Sequence, residues 1–177
     1  MDAMNAYLGS TVADVGAAEG WFTEKLARRV GTGGTVFAVD VQPAMVEEVR
    51  RWSVEKHLRQ VVPVLGAEDD PHLPAGELDA ILVVNAYHEM RAYDAMLRAF
   101  YQALKLEGRL VIIEPEAKLG RSRAEYQKEH VIPLELVKAD AARNNVQFIE
   151  RRADVVTPDQ HHWSFLVFAK SRPKAFP

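Results

Sequence analysis

The residues best suited to chemistry lie near the start of the chain, in residues 12–22, which read VADVGAAEGWF. Small side chains in such a turn let a ligand approach the backbone closely. A dinucleotide fingerprint that begins at the first glycine would need two further glycines, but Ala18 and Trp21 occupy those positions. Asp14 and Glu19 also place two carboxylates here, without Lys or Arg, whereas diphosphates favour helix N-termini free of anions. The segment therefore suits a cationic ligand better.

Histidines are the other candidates for chemistry, and His88 is the best placed because it closely follows a long apolar run. An imidazole there could accept a proton from an acceptor or hydrogen-bond it into line. The alternative is a histidine that only ties a loop to the next helix. His161 and His162 are adjacent and would point to opposite faces of a strand. No ligand-like spacing joins His88, Glu89 and Asp154, so the sequence predicts no metal site.

The elements that must position these residues follow from the hydrophobic pattern. Four strand–helix units in series predict a parallel sheet with right-handed crossovers. A helical segment lies within residues 124–144, and the last two strands have no helix between them, which predicts an antiparallel pair at the sheet edge. The expected fold is therefore a doubly wound, Rossmann-like α/β sheet, mostly parallel, with helices on both faces. Its seven strands are expected at residues 11–15, 35–39, 61–65, 78–84, 110–113, 148–155 and 163–169.

These segments, in this order and spacing, resemble the class I S-adenosylmethionine-dependent methyltransferases, in particular the small-molecule enzymes of types 11 and 25. The family's acidic-x-Gly-x-Gly-x-Gly turn is matched except at its middle glycine. The segments VFAVDV (36–41), GAEDD (66–70) and LDAILVVNAYHEM (78–90) are similar to later family motifs. In LKLEGRLVIIE (104–114), Leu106 and Glu107 replace the usual proline and glycine. The resemblance covers residues 11–115 well and the last two strands loosely.

The resemblance implies a binding site for S-adenosylmethionine. Asp40 is expected to accept hydrogen bonds from the ribose hydroxyls, and Glu68 from the adenine amino group, with Asp69 as second choice. Simpler alternatives remain at each position: glycines that only allow strand–helix packing, a carboxylate that caps the helix at Pro43, and a solvated acidic loop. The cofactor-binding residues implied are Asp14, Gly16, Ala17, Ala18, Gly20, Asp40, Val41, Ala67, Glu68 and Asn85, the last beside the methionine end.

Composition bounds the possible functions. The 177 residues fit one domain, 1–177, in which residues 1–10 form a short N-terminal cap. Twenty-two basic residues against 25 acidic ones give a net charge of −3, so no electrostatic footprint for nucleic acid is expected. There is no cysteine, no secretory signal and no apolar run near the ~20 residues that span a bilayer. We therefore expect a cytoplasmic protein without membrane partners, whose oligomeric state the sequence does not indicate.

The resulting hypothesis is a methyltransferase whose small-molecule acceptor enters above the carboxyl ends of strands four and five. A non-catalytic or partner-dependent S-adenosylmethionine-binding protein is the alternative, motivated by Ala18 and by the few residues before Thr11. A nicotinamide-dependent oxidoreductase is disfavoured by Ala18 and Trp21.

Overall fold

A computed structural model describes residues 2–156 and 162–170 of the chain. It contains one seven-stranded sheet in the order β3-β2-β1-β4-β5-β7-β6. The strands are β1 (Thr11–Val15), β2 (Thr35–Asp40), β3 (Val61–Leu65), β4 (Leu78–Val84), β5 (Leu104–Pro115), β6 (Val146–Val156) and β7 (His162–Lys170). The helices are α1 (Trp21–Val30), α2 (Pro43–Glu55), α3 (Tyr93–Ala103), α4 (Arg123–Lys128) and α5 (Leu134–Arg143), with short 3₁₀ helices at Asp2–Met4 and Tyr87–Glu89.

The sheet is parallel from β3 to β5, and β7 pairs antiparallel with both β5 and β6. The predicted class, with its antiparallel C-terminal pair, is therefore confirmed. The strand order reverses between β1 and β4, which are hydrogen-bonded neighbours although β2 and β3 separate them in the chain. In open α/β sheets, such a switch point opens a crevice at the carboxyl ends of the strands, where ligands bind.

Two apolar cores cover the two faces of the sheet. Residues of α1 and α2 pack on one face together with the N-terminal segment, whose Ala3, Met4 and Ala6 are buried. Residues of α3 and α5 pack on the other face, around Phe100 and Phe168. The central strand β4 is buried nearly throughout, as its apolar run predicts for a strand covered on both faces.

The structure differs from the sequence-based expectation in three elements. The connection from β3 to β4 contains no helix, so one of the four expected strand–helix units is absent. β5 begins at Leu104 rather than at residue 110, because residues 105–108 bulge out opposite Asp79 and the chain then re-enters the same ladder. The single helix expected within residues 124–144 is two helices, because the Pro133 ring cannot continue a helix.

The two edges of the sheet differ from its centre. β3 forms one edge and contains Pro63, which lies in register with Ala38 of β2. β6 forms the other edge and pairs with β7 through two register shifts, one before Glu150 and one after Arg152. Within the described residues, none of the helices has the length and apolar character needed to cross a bilayer.

Candidate cofactor and acceptor site

A cavity of about 520 Å³ opens at the carboxyl ends of β1, β2 and β4, at the switch point of the sheet. Its wall combines the β1–α1 turn, the end of β2, the loop after β3 and the segment after β4. The lining residues are Val15, Gly16, Ala18, Val39, Asp40, Val41, Gln42, Ala67, Glu68, Asn85, Ala86, Glu89, Met90, Arg91, Met96, Gln127 and His130. Seven of the residues predicted to bind the cofactor are therefore in one wall: Gly16, Ala18, Asp40, Val41, Ala67, Glu68 and Asn85.

The β1–α1 turn is hydrogen-bonded to the end of β2. The backbone N–H groups of Gly16 and Ala17 both donate to the carbonyl of Val39, at 2.9 and 3.0 Å. Gly16 has a φ of 75°, and a Cβ there would overlap the Cβ of Ala86. The first glycine of the turn is thus required both by its backbone and by its contact with the segment after β4.

Gly20, the last glycine of the turn, serves packing rather than the cavity. It has a φ of 82°, and an added Cβ would lie 2.5 Å from Cζ2 of Trp52 in α2. The Trp52 indole N–H donates to the carbonyl of Glu19 at 2.9 Å, which fixes the turn against that helix. Gly20 does not line the cavity, so for this residue the simple packing role is the one observed.

Asp40 is the residue that joins the turn to β2. One carboxylate oxygen, Oδ2, accepts the N–H of Ala18 at 2.9 Å, and Oδ1 accepts the N–H of Gln42 at 2.9 Å. Asp40 is only 8% exposed but lines the cavity. Since each carboxylate oxygen has further acceptor capacity, Asp40 can hold the turn and still bind two hydroxyl donors.

Asp14 and Ala17 lie behind the cavity wall instead of in it. The Asp14 carboxylate accepts the hydroxyl of Thr23 at 2.6 Å and is 2% exposed. Burial raises the pKa of Asp14 to about 6, although the hydrogen bonds from Thr23 oppose the shift. This carboxylate therefore anchors α1 to β1 in the present structure.

The loop after β3 separates the two acidic candidates for the adenine amino group. Glu68 and Ala67 line the cavity, whereas Asp69 lines a different depression on the surface beside Arg98. The position of Glu68 supports it over Asp69, although the role itself stays a prediction.

The segment after β4 forms the other end of the cavity. Asn85 has a φ of 53°, which its short polar side chain tolerates better than most. The carboxylate of Glu114, at the end of β5, accepts the backbone N–H groups of Ala86 and Tyr87 through Oε1, at 2.8 and 2.6 Å. Its Oε2 lies 2.6 Å from Nδ1 of His88, and both side chains are 1% exposed. Glu114 thus acts as acceptor, and His88 donates from Nδ1.

The other ring nitrogen of His88 faces His130 at the cavity end, although His88 itself does not line the cavity. Nε2 of His88 lies 3.2 Å from Nδ1 of His130, a residue that follows α4 and lines the cavity. α4 is positioned by a capping box at Ser122 and by the Gln127 amide, which donates to the carbonyl of Glu89 at 3.0 Å. Glu114, His88 and His130 therefore form a continuous chain from the sheet to the cavity.

Tyr87, which flanks His88, has a structural role. It is fully buried, its hydroxyl donates to Asp140 of α5 at 2.9 Å, and burial raises its pKa far above the usual range. Tyr87 therefore stays protonated and cannot act as a base. His161, another candidate from the sequence, and the side chain of Asp154 lie outside the part of the chain that the structure describes.

Sequence reasoning missed several residues at this second end, above all Arg91 and Gln127, and offered His130 only as a secondary catalytic candidate after His88. They follow no motif, and His130 is 42 residues from His88 in the chain. Glu114 did carry a signal, because it stands at the carboxyl end of a predicted parallel strand, where ligands gather.

The chemistry of the wall fits a cationic adenosyl compound. Asp40, at the end of β2, and Glu68, in the loop after β3, supply carboxylates, and Arg91 is the sole Lys or Arg residue among those that line the cavity. A wall of this charge is poorly suited to a diphosphate and well suited to a sulfonium and an ammonium group.

The sequence profile of the methyltransferase domain family matches residues 12–108, more than half of the chain. The protein therefore belongs to the class I S-adenosylmethionine-dependent methyltransferase family, whose cofactor is S-adenosylmethionine.

Two curated relatives and one solved structure illustrate this membership. Aklanonic acid methyltransferase DauC of Streptomyces sp. (strain C5) is 29% identical over 122 residues, 68% of this chain and 54% of that protein. Nocamycin O-methyltransferase of Saccharothrix syringae is 29% identical over 115 residues, 65% of this chain and 41% of that protein. The chain thus spans about half the length of these relatives. A SAM-dependent methyltransferase from Aquifex aeolicus shares the fold, with a TM-score of 0.78 at 22% identity over 96% of this chain and 86% of that one.

Proposed function

We propose that this protein transfers a methyl group from S-adenosylmethionine to a small-molecule acceptor. One observation carries the proposal: Asp40 and Glu68 line one end of the same cavity that Glu89 and His130 line at the other end. The cofactor would lie at the first end and the acceptor at the second, with Asn85 between them. Relatives that act on aklanonic acid and nocamycin, as their names state, support a small organic acceptor.

The chain's own residues would mainly bind and orient the two reactants. S-adenosylmethionine supplies a methyl group already activated by its sulfonium, so displacement needs alignment and exclusion of water more than a strong catalyst. Asp40 would fix the ribose while it also holds the N–H of Ala18, so that the cofactor and the turn share one rigid support. Met90 and Met96 line the cavity and would present apolar side chains to the acceptor.

His88 would act at the acceptor end through Nε2, because its Nδ1 is hydrogen-bonded to Glu114. Nε2 would either accept the acceptor's proton or orient the acceptor through a hydrogen bond, directly or through His130. If it accepts the proton, the Glu114 carboxylate would stabilise the positive charge on the imidazole. Replacement of His88 by Ala should leave cofactor affinity nearly intact and lower turnover at least about tenfold. Unchanged turnover in the folded variant would remove His88 from the reaction.

Calorimetric titration tests the cofactor site. S-adenosylmethionine and its demethylated product should both bind the wild type, and Asp40→Asn should weaken both by ~1–3 kcal/mol. Asp79→Asn is the matched control, because Asp79 also accepts a backbone N–H, that of Thr11, but lies away from the cavity. Equal affinities in the two variants would refute the ribose role, and tight NADH binding without S-adenosylmethionine binding would refute the proposal.

Turnover separates an enzyme from a protein that only binds the cofactor. Release of the demethylated product should be detected with at least one acceptor in a panel of phenols, enols and carboxylic acids. Tight cofactor binding with no product release across the panel would favour the non-catalytic or partner-dependent alternative.

A further inference from the structure

Three side chains at the acceptor end of the cavity converge on one point. Nε2 of His88 lies 3.2 Å from Nδ1 of His130 and 3.8 Å from Oε1 of Glu89, and the last two atoms are 3.5 Å apart. Atoms with these separations share a centre ~2.0 Å from each of them, which is the length of a zinc–nitrogen or zinc–oxygen bond. The arrangement therefore has the dimensions of a metal site without any change of fold.

The environment of His88 prepares its free nitrogen for a cation. Because Glu114 accepts the proton on Nδ1 at 2.6 Å, neutral His88 presents a lone pair on Nε2. A carboxylate that accepts the second N–H of a ligating histidine orients the ring and makes it a stronger ligand. Glu114 is itself fixed by the N–H groups of Ala86 and Tyr87.

The other two ligands leave the centre open to the cavity. The side chains of Glu89 and His130 are 58% and 68% exposed, and both residues line the cavity, whereas His88 is buried behind them. A cation held from one side by three protein ligands has coordination positions left for water or substrate, as catalytic sites do. Two imidazoles and one carboxylate suit Zn²⁺, Co²⁺, Ni²⁺ or Fe²⁺ better than Mg²⁺ or Ca²⁺.

We propose that His88, Glu89 and His130 bind a divalent transition-metal ion at the acceptor end of the cavity. This differs from the sequence-based expectation of no metal, because the third ligand, His130, is brought to the other two only by the fold. The site also deepens the proposed function, on which this step rests: an acceptor with a hydroxyl or enol oxygen would bind the ion as a further ligand. His88 would then be a ligand that positions the acceptor. The ion would lower the pKa of the bound hydroxyl, whose proton would pass to solvent water, and the ion rather than the imidazole would stabilise the oxygen that then attacks the methyl group.

Titration of the chelator-treated protein with Co²⁺ and with Zn²⁺ tests the site, by absorption and by calorimetry. One Co²⁺ per chain should bind with a visible d–d spectrum, and His130→Asn and Glu89→Gln should each weaken binding at least tenfold. Glu114→Gln should weaken it about 10- to 100-fold, as loss of a carboxylate behind a ligating histidine does. Methyl transfer, assayed separately, should fall after chelation and return with the metal.

Two matched controls keep the result interpretable. His57→Asn alters an exposed histidine whose φ of 56° matches the 55° of His130, and asparagine tolerates this backbone. Glu129→Gln alters the acid next to His130 in the chain, and the Glu129 carboxylate pairs with Arg121 rather than with the proposed ligands.

No binding of Co²⁺ or Zn²⁺ by the wild type, or an equal loss of binding in control and ligand variants, would overturn the site. Titration of S-adenosylmethionine without metal should be unaffected by His130→Asn, so failure of the metal site leaves the cofactor proposal intact.

Discussion

Replacement of Ala18 by Gly tests how the turn accommodates the one residue that departs from the family pattern. Ala18 has a φ of 46°, in the left-handed region, and its N–H donates to Asp40 at 2.9 Å. Its methyl group is exposed toward the cavity. Glycine would keep the backbone hydrogen bond and would remove both the strain and the methyl group.

Two opposing contributions set the expected change in stability. The left-handed conformation costs a residue with a Cβ ~1–2 kcal/mol, which glycine would recover. Glycine also enlarges the unfolded ensemble, which costs ~0.4–1 kcal/mol. Little burial is lost, because the methyl group of Ala18 is exposed. The net expectation is therefore a stability between unchanged and ~1.5 kcal/mol higher, with cofactor affinity equal to or tighter than that of the wild type.

Urea unfolding and calorimetric titration measure the two quantities, the latter at a temperature where both proteins are folded. Ala17→Gly is the matched control, because Ala17 is adjacent, buried and free of the positive φ. It should lose ~1 kcal/mol or more from added chain entropy and lost packing. Equal destabilisation by the two changes would refute the strain argument. A large loss of affinity in Ala18→Gly would show that the methyl group contacts the cofactor.

Three further outcomes follow from the described contacts. Because the folded-state pKa of Asp14, about 6, lies above its ordinary value of 3.8, the free energy of unfolding should fall as pH rises from ~4 to ~6 and then level off. Asp14→Asn should flatten this pH dependence and raise the free energy of unfolding, measured in urea, by up to ~3 kcal/mol at pH 7. An equal rise at pH 4 and pH 7 would contradict a raised pKa for Asp14. Tyr87→Phe should lose ~1–3 kcal/mol of unfolding free energy, since its hydroxyl donates to buried Asp140; no loss would mean that this bond contributes nothing. Glu68→Gln should weaken S-adenosylmethionine binding about tenfold in calorimetry while Asp69→Asn leaves it unchanged, and the reverse order would exchange their roles.

The parts of the fold that the sequence predicted are those decided locally. Apolar runs bounded by glycine or acidic residues predicted β1, β2, β3 and β4 within about a residue of their observed bounds. The start of β5 could not be predicted in this way, because the pairing of Leu104 with Leu78 depends on a bulge that only the neighbouring strand stabilises.

In the candidate site, too, the residues near their strands in the chain were predicted and those brought in by tertiary contacts were not. The turn and Asp40 are close to their strands in the chain, and the pattern placed both in the cavity wall. Gly20 matched the motif equally well, yet its contact with Trp52 is a packing constraint that the motif cannot distinguish from ligand binding. His130 is brought to His88 by the docking of α4, a tertiary contact that no local pattern encodes.

The two borders of the sheet have a consequence for how the protein behaves at high concentration. An unpaired border strand is a template on which a second chain can add its own strand, the first step of aggregation. Pro63 removes one N–H group from β3, and the irregular, charged β6 interrupts the regular spacing that an added strand would need. Neither border offers an unbroken row of donors and acceptors, so growth by strand addition is disfavoured at both. Pro63→Val would restore the missing N–H group and with it a regular border to which a second chain could add a strand.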